Sequence, residues 1–296
     1  MGRILAVLLW PAGIAVILCI GALLARRVPD GPLELGWGGL PGRSRPAGRR
    51  RGGQTLRNGS PAEPSALRSA GKFLLILLGC SIVAWGVMCL LGIVVIHAGP
   101  TIDKPIFNWT IAHRYHFFRG GMKRATEVGD KYPVSAAAVT AAVLLAITWR
   151  RNRWLPPVAL GTLIIWDHFL TLAINHTEHR TPPPGQGGIF PSGGSERAIL
   201  FYGLIAYLVW REFSGKRRAA IWAATVVAAL GFHEGYTRWY LAVHWTTDIV
   251  SGWFYGCLML AIYILAIQLV IGPPQVPDPE RPTVAPARNW PEGVPG

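Results

Sequence analysis

The chain reads as an all-α, polytopic transmembrane helical bundle, and three observations predict it. Hydrophobic residues make up 51% of its 296 residues while only 15% are charged, a balance foreign to soluble domains. Several apolar runs approach ~20 residues, the helical length that crosses roughly 30 Å of hydrocarbon. The formal net charge of +14 is concentrated between these runs, where the positive-inside rule places cytoplasmic loops. About seven spans are expected from the apolar pattern.

The first run extends from Ile4 to Ala25 and is closed by Arg26 and Arg27, so residues 1–27 form an amino-terminal transmembrane helix. Arg3 and the small residues after the run also fit a cleaved signal peptide. That alternative would leave six spans and move the following cations to the wrong face. Residues 28–70 are rich in Arg, Gly and Pro, among them Arg43, Arg45, Arg49, Arg50, Arg51 and Arg57, and lack hydrophobic periodicity. They are expected to be a flexible cytoplasmic linker.

The second span runs from Phe73 to Ile96, the third from Pro133 to Trp149 and the fourth from Leu155 to Ile174. The fifth follows Pro191-Ser192 and ends near Trp210, the sixth covers Ala219 to Phe232, and the seventh Trp245 to Ile271. Residues 71–272 thus form one membrane-embedded domain with a six-helix core, and residues 273–296 a proline-rich cytoplasmic tail. Arg150/Arg151/Arg153 and Arg211/Lys216/Arg217/Arg218 mark cytoplasmic loops, which puts the amino terminus outside.

The excess positive charge is explained by membrane lipid headgroups. No nucleic-acid partner is expected, because the basic linker has no interleaved aromatics on which bases would stack. Cys19, Cys80, Cys89 and Cys257 all fall in apolar runs, without the paired short spacing of a zinc site.

Polar residues at a membrane boundary are expensive, so their clustering on one face marks a site. Three clusters fall on the face opposite the basic loops: 175–182, 190–197 and 233–248. His244 and Asp248 are four apart, and on a helix they would share a face, the carboxylate orienting the imidazole for nucleophilic attack. Pro191-Ser192-Gly193-Gly194 precedes an apolar helix, whose free amides and positive dipole end suit an oxyanion. Arg180 and Arg238 offer planar forks for phosphate oxygens. His176, Glu178 and His179 are metal-ligand types, but they run into Thr181-Pro182-Pro183-Pro184 and leave the helix there, so neither a metal nor a cofactor is expected.

Together the clusters resemble the signature of the type 2 phosphatidic acid phosphatase superfamily. The family pattern Ser-Arg, five residues, His, three residues, Asp is matched in spacing by Arg238, His244 and Asp248, with Thr237 in place of serine. The resemblance covers Thr101 to Ile271 and implies that residues 71–272 are a phosphatase-like domain, with a phosphate held by Arg180, Ser192, Gly193, Gly194 and Arg238. Two departures stand out: Ala173 sits where the family's first motif has lysine, with Thr181 before Pro182, and Gly194 sits where it has a second histidine, the general acid.

The implied function is a membrane phosphatase acting on a lipid-linked phosphate or pyrophosphate through a histidine nucleophile at the extracytoplasmic face. Transfer of the phosphoryl or phosphodiester group to an alcohol, or a silent lipid-phosphate-binding relative, are the alternatives. Without the histidine acid, expulsion of an alcohol should slow by ~10²- to 10⁴-fold. Glu178, His179 and Glu196 are the substitute acids closest to hand in the sequence, followed by His233 and Glu234. Gly194→His is expected to restore activity toward alkyl phosphates, provided that the ring fits.

Overall fold

The computed structural model describes residues 2–29, 66–149 and 152–272. The cytoplasmic placement expected for most of the basic linker and for the tail, and the Arg150/Arg151 pair, lie outside the described residues. Among the described residues eight α-helices follow one another: α1 Gly2–Arg27, α2 Ala66–His113, α3 His116–Ala125, α4 Lys131–Thr148, α5 Leu155–Glu178, α6 Gly193–Phe213, α7 Arg217–Leu241 and α8 Thr246–Ile271. A 3-10 turn, Thr126–Gly129, links α3 to α4, and no strand occurs among the described residues.

Five helices, α1, α2, α4, α5 and α8, are long and apolar enough to cross a membrane. α6 and α7 are more polar because the bundle shelters them: α6 packs on α4, α5, α7 and α8, and α7 also on α1. A charged residue on such a helix can face protein instead of lipid. The main core joins Phe73, Leu77 and Met88 of α2, Leu160 and Leu163 of α5, Phe201 of α6, and Tyr255 and Tyr263 of α8. Leu75, Val83 and Leu90 of α2 instead stay exposed, a lipid-facing stripe.

Two boundaries differ from the sequence expectation. The second span does not end at Ile96: α2 continues through Pro100 and Pro105 to His113, and it begins at Ala66, within the stretch expected to be linker. This extension is polar and packs across one end of the bundle, with Phe107 5.3 Å from Trp245 and Trp109 6.0 Å from Trp239 between ring centroids. Likewise α7 runs past Phe232 to Leu241. Hydropathy ends a span where polar residues begin, whereas tertiary packing lets the helix go on.

α1 lies antiparallel along α7. Trp10 Nε1 donates to His233 Nδ1 at 3.1 Å, Gly13 faces Phe232, Gly21 faces Thr225, and Arg218 Nε donates to the Val28 carbonyl at 3.2 Å. Arg211 Nη2 donates to the Gly272 carbonyl at 2.7 Å, so Arg26, Arg27, Arg211 and Arg218 gather at one end of the bundle. The three polar clusters gather at the other.

Candidate active site

The site is built where α6 and α8 begin. Asp248 is the third residue of α8, and its Oδ2 accepts the Trp245 backbone N–H at 3.1 Å, satisfying a donor that helix starts leave open. A second carboxylate arrives from outside: Asp103 of α2 accepts the Thr247 N–H at 3.0 Å and the Thr247 hydroxyl at 2.6 Å. Arg180, on the chain leaving α5, bridges the two. Its Nη2 lies 2.5 Å from Asp103 Oδ2, and its Nη1 donates to Asp248 Oδ1. All three side chains are nearly buried, so the pairing compensates charges that water no longer solvates.

His244 is not on a helix with Asp248, which corrects the shared-face expectation. α7 ends at Leu241 with Ala242 in the left-handed region (φ 55°), α8 starts at Thr246, and His244 occupies the turn between them. The two side chains still meet. Nδ1 of His244 is 3.8 Å from Asp248 Oδ2, beyond hydrogen-bond reach, and this buried nitrogen has no other partner. Backbone at Gly188 packs on the imidazole: a Cβ there would fall 2.9 Å from Nδ1 and against the Val243 carbonyl, so this close approach needs glycine.

The Ser192 N–H donates to the Asp248 carbonyl at 3.0 Å, which fixes the start of α6 beside the start of α8. Ser192 is fully buried and its hydroxyl lies 3.0 Å from that of Ser195; its side chain does not cap the helix. The backbone amides of Gly193 and Gly194 belong to the first turn, whose N–H groups have no partner within the helix.

Over Gly194 stands a second guanidinium. Arg238 Nε is 2.7 Å from Glu234 Oε1, and Arg238 Nη2 is 2.5 Å from Asp130 Oδ1. Glu234 is fully buried and also accepts the Thr126 hydroxyl at 2.8 Å and the Gly129 N–H at 3.2 Å. A Cβ on Gly194 would collide with Glu234 Oε1 and come within 2.5 Å of Arg238 Nε and Nη2. The volume that a histidine at 194 would need is therefore already filled, and the expected gain from Gly194→His is withdrawn on that ground.

Of the substitute acids named from sequence, Glu234 alone stands over Gly194; His233 is held between Trp10 and the Ala125 carbonyl, and the other three are directed elsewhere. Glu178 is buried against Gly92 of α2, beside Cys89. His179 closes α5 in the left-handed region (φ 40°) and is exposed. Glu196 points toward α5, where Thr171 Oγ1 lies 3.5 Å from its Oε2 and Asp167, paired with Arg197 at 3.1 Å, adjoins it. Helical periodicity explains this: Glu196 is two positions past Gly194, roughly 200° around α6. No group of three metal-ligating side chains occurs among the described residues.

Asp103, Asp130 and Gly188 are the participants that sequence reasoning passed over. The available signal was scarcity, since 15 acidic residues must serve 29 cations, and a carboxylate next to an apolar span seldom lacks a partner.

Residues 165–271 match the family model described as PAP2 superfamily. The matched region holds His244, Asp248, Arg180, Arg238 and the start of α6. Among solved structures, the chain is similar to a transmembrane PAP2-type phosphatidylglycerolphosphate phosphatase from Bacillus subtilis, with 19% identity, a TM-score of 0.53 and coverage of 62% of this chain and 94% of that one. That likeness establishes the shared fold, a multi-pass membrane bundle. Comparison with curated proteins finds no significant match. The matched segment begins within α5, so α1 to α4 lie before it, although Asp103 of α2 reaches into the site.

Proposed function

We propose that this protein is a PAP2-type lipid-phosphate phosphatase in which His244 is the nucleophile, acting at the extracytoplasmic face and favouring substrates with an acidic leaving group, such as lipid diphosphates. The observation that carries this reading is the convergence of His244, Asp248, Arg180, Arg238 and the first turn of α6 at one end of the bundle. Nδ1 of His244 faces Asp248, which leaves Nε2 to attack phosphorus. A P–N bond forms as the bond to the leaving oxygen breaks, with charge on the equatorial oxygens met by the guanidiniums and the α6 amides. Water then cleaves the phosphohistidine, releasing phosphate and restoring the imidazole. Asp248 stabilises the imidazole while it carries positive charge.

The leaving-group preference follows from Gly194. Its missing side chain cannot donate a proton, and the carboxyl group above it, Glu234, is already engaged by Thr126, Gly129 and Arg238. A phosphate leaving group departs without that help. With purified protein, hydrolysis of a polyprenyl diphosphate should outpace that of phosphatidate by roughly 10²-fold or more. Equal rates on both would remove the leaving-group argument. Product analysis with and without added alcohols distinguishes hydrolysis from transfer.

The extracytoplasmic placement rests on the segregation of Arg26, Arg27, Arg211 and Arg218 to the opposite end. A cysteine introduced at Gly187 should react with an impermeant thiol reagent in intact cells, and one at Gly215 should react only after permeabilisation. The reverse pattern would invert the topology.

A further inference from the structure

We propose that α3 is an interfacial helix that docks on anionic lipid headgroups beside the site, with Phe117 and Phe118 in the acyl boundary and Arg119 and Lys123 toward the phosphates. The argument begins with composition: His-Phe-Phe-Arg-Gly-Gly-Met-Lys-Arg-Ala contains three permanent cations and no acid. Phe117 is 88% exposed, and Phe118 is exposed too. Two large apolar rings held open to water on a short helix are costly unless something apolar covers them. Arg119 and Lys123, four apart, share a face, whereas Phe117 lies about 200° around the helix from Arg119. That division suits a helix lying in the plane of a membrane surface.

The position of α3 fits the same occupant. Its one buried residue, Met122, packs with Tyr236, Tyr240 and Leu241 of α7, in a cluster that also takes in Val7, Trp10, Trp109 and Trp239. Val7 begins the apolar window of α1. α3 is therefore level with the point where α1 enters hydrocarbon, among Trp and Tyr side chains of the kind that line membrane boundaries. Tyr115 holds the preceding turn in place: its N–H donates to the Tyr240 hydroxyl at 2.9 Å. Arg114 Nη1 donates to the Leu241 carbonyl at 3.0 Å, so the helix is anchored on one side and open on the other. A protein partner would also cover two rings, but a helix with three cations and no acid of its own, Glu127 following only in the next turn, matches an anionic lipid surface better.

The 3-10 turn after α3 carries Thr126 and Gly129 to Glu234, and Asp130 to Arg238. Docking of α3 thus bears directly on the layer above Gly194, although the proposal holds whether or not the site turns over phosphate. The test is spin-label depth in the full chain, with Cys19, Cys80, Cys89 and Cys257 replaced by alanine, reconstituted in vesicles of phosphatidylcholine or of phosphatidylcholine with phosphatidylglycerol. A label at Phe117→Cys should be more accessible to oxygen than to a water-soluble nickel chelate, and a label at Lys123→Cys should show the reverse. Adding phosphatidylglycerol should move the Phe117 label deeper, and Arg119→Gln with Lys123→Gln should abolish that shift. Nickel-accessible labels at both positions in both vesicles would overturn the docking, and a depth indifferent to phosphatidylglycerol would overturn the anionic partner. Shielding of both labels from both reagents would mean that protein covers α3 and would likewise overturn it.

Discussion

Replacing His244 with alanine is expected to lower turnover of the preferred lipid phosphate by at least ~10⁴-fold, the scale of losing a covalent nucleophile. Thermal stability should hardly change. His244 Nδ1 has no hydrogen-bond partner, and its approach to Asp248 is 3.8 Å, so the ring contributes little to holding the turn between α7 and α8. Asp248→Asn should behave differently. Asp248 pairs with Arg180 and accepts the Trp245 N–H, so its loss leaves a buried guanidinium short of charge, at a cost of about 3–5 kcal/mol. The two variants thus separate chemistry from architecture. An acid-labile phosphoryl group trapped on wild-type protein and missing from His244→Ala would identify the bond formed. Full activity in His244→Ala would end the nucleophile assignment.

Gly194→His is the second large effect, and its direction is the opposite of what family resemblance suggests. The new Cβ would press on Glu234 Oε1 and on both contacting nitrogens of Arg238. None of these can retreat cheaply, because Glu234 is held by Thr126 and Gly129, and Arg238 by Asp130. Overpacking of this kind costs about 1–3 kcal/mol or more, and displacing Arg238 removes a phosphate ligand as well. Activity should fall by ~10²-fold or more on every substrate, as for loss of a transition-state charge donor. Combining Gly194→His with Glu234→Ala removes one of the two blocking side chains, so the loss in the double variant should be smaller than the sum of the two single losses. The coupling expected for touching groups is about 0.5–3 kcal/mol. Additive losses, or a rise in alkyl-phosphate activity in the single variant, would contradict the packing seen over Gly194.

The sequence by itself determined the class of protein and pointed to residues of the candidate site. Runs long enough to cross hydrocarbon, with cations held between them, admit few architectures other than a helical bundle, because a lipid-exposed backbone must satisfy its own hydrogen bonds. The spacing of Arg238, His244 and Asp248 was legible because it is local, and so was the loss of the second histidine at Gly194. Partnerships were not legible. That Asp103 would reach Arg180 and Thr247 across 77 and 144 positions depends on how α2 packs over the start of α8. That Glu196 would turn toward Asp167 while Glu234 stands over Gly194 depends on helix rotation, which residue types near one another in sequence do not specify. Even His244 and Asp248, at helical spacing, meet across a turn, because the chain leaves α7 through Ala242 in a left-handed conformation before α8 begins. Hydrophobic periodicity fixes which faces are buried, but buried charges choose their partners by geometry that forms only when the helices have packed.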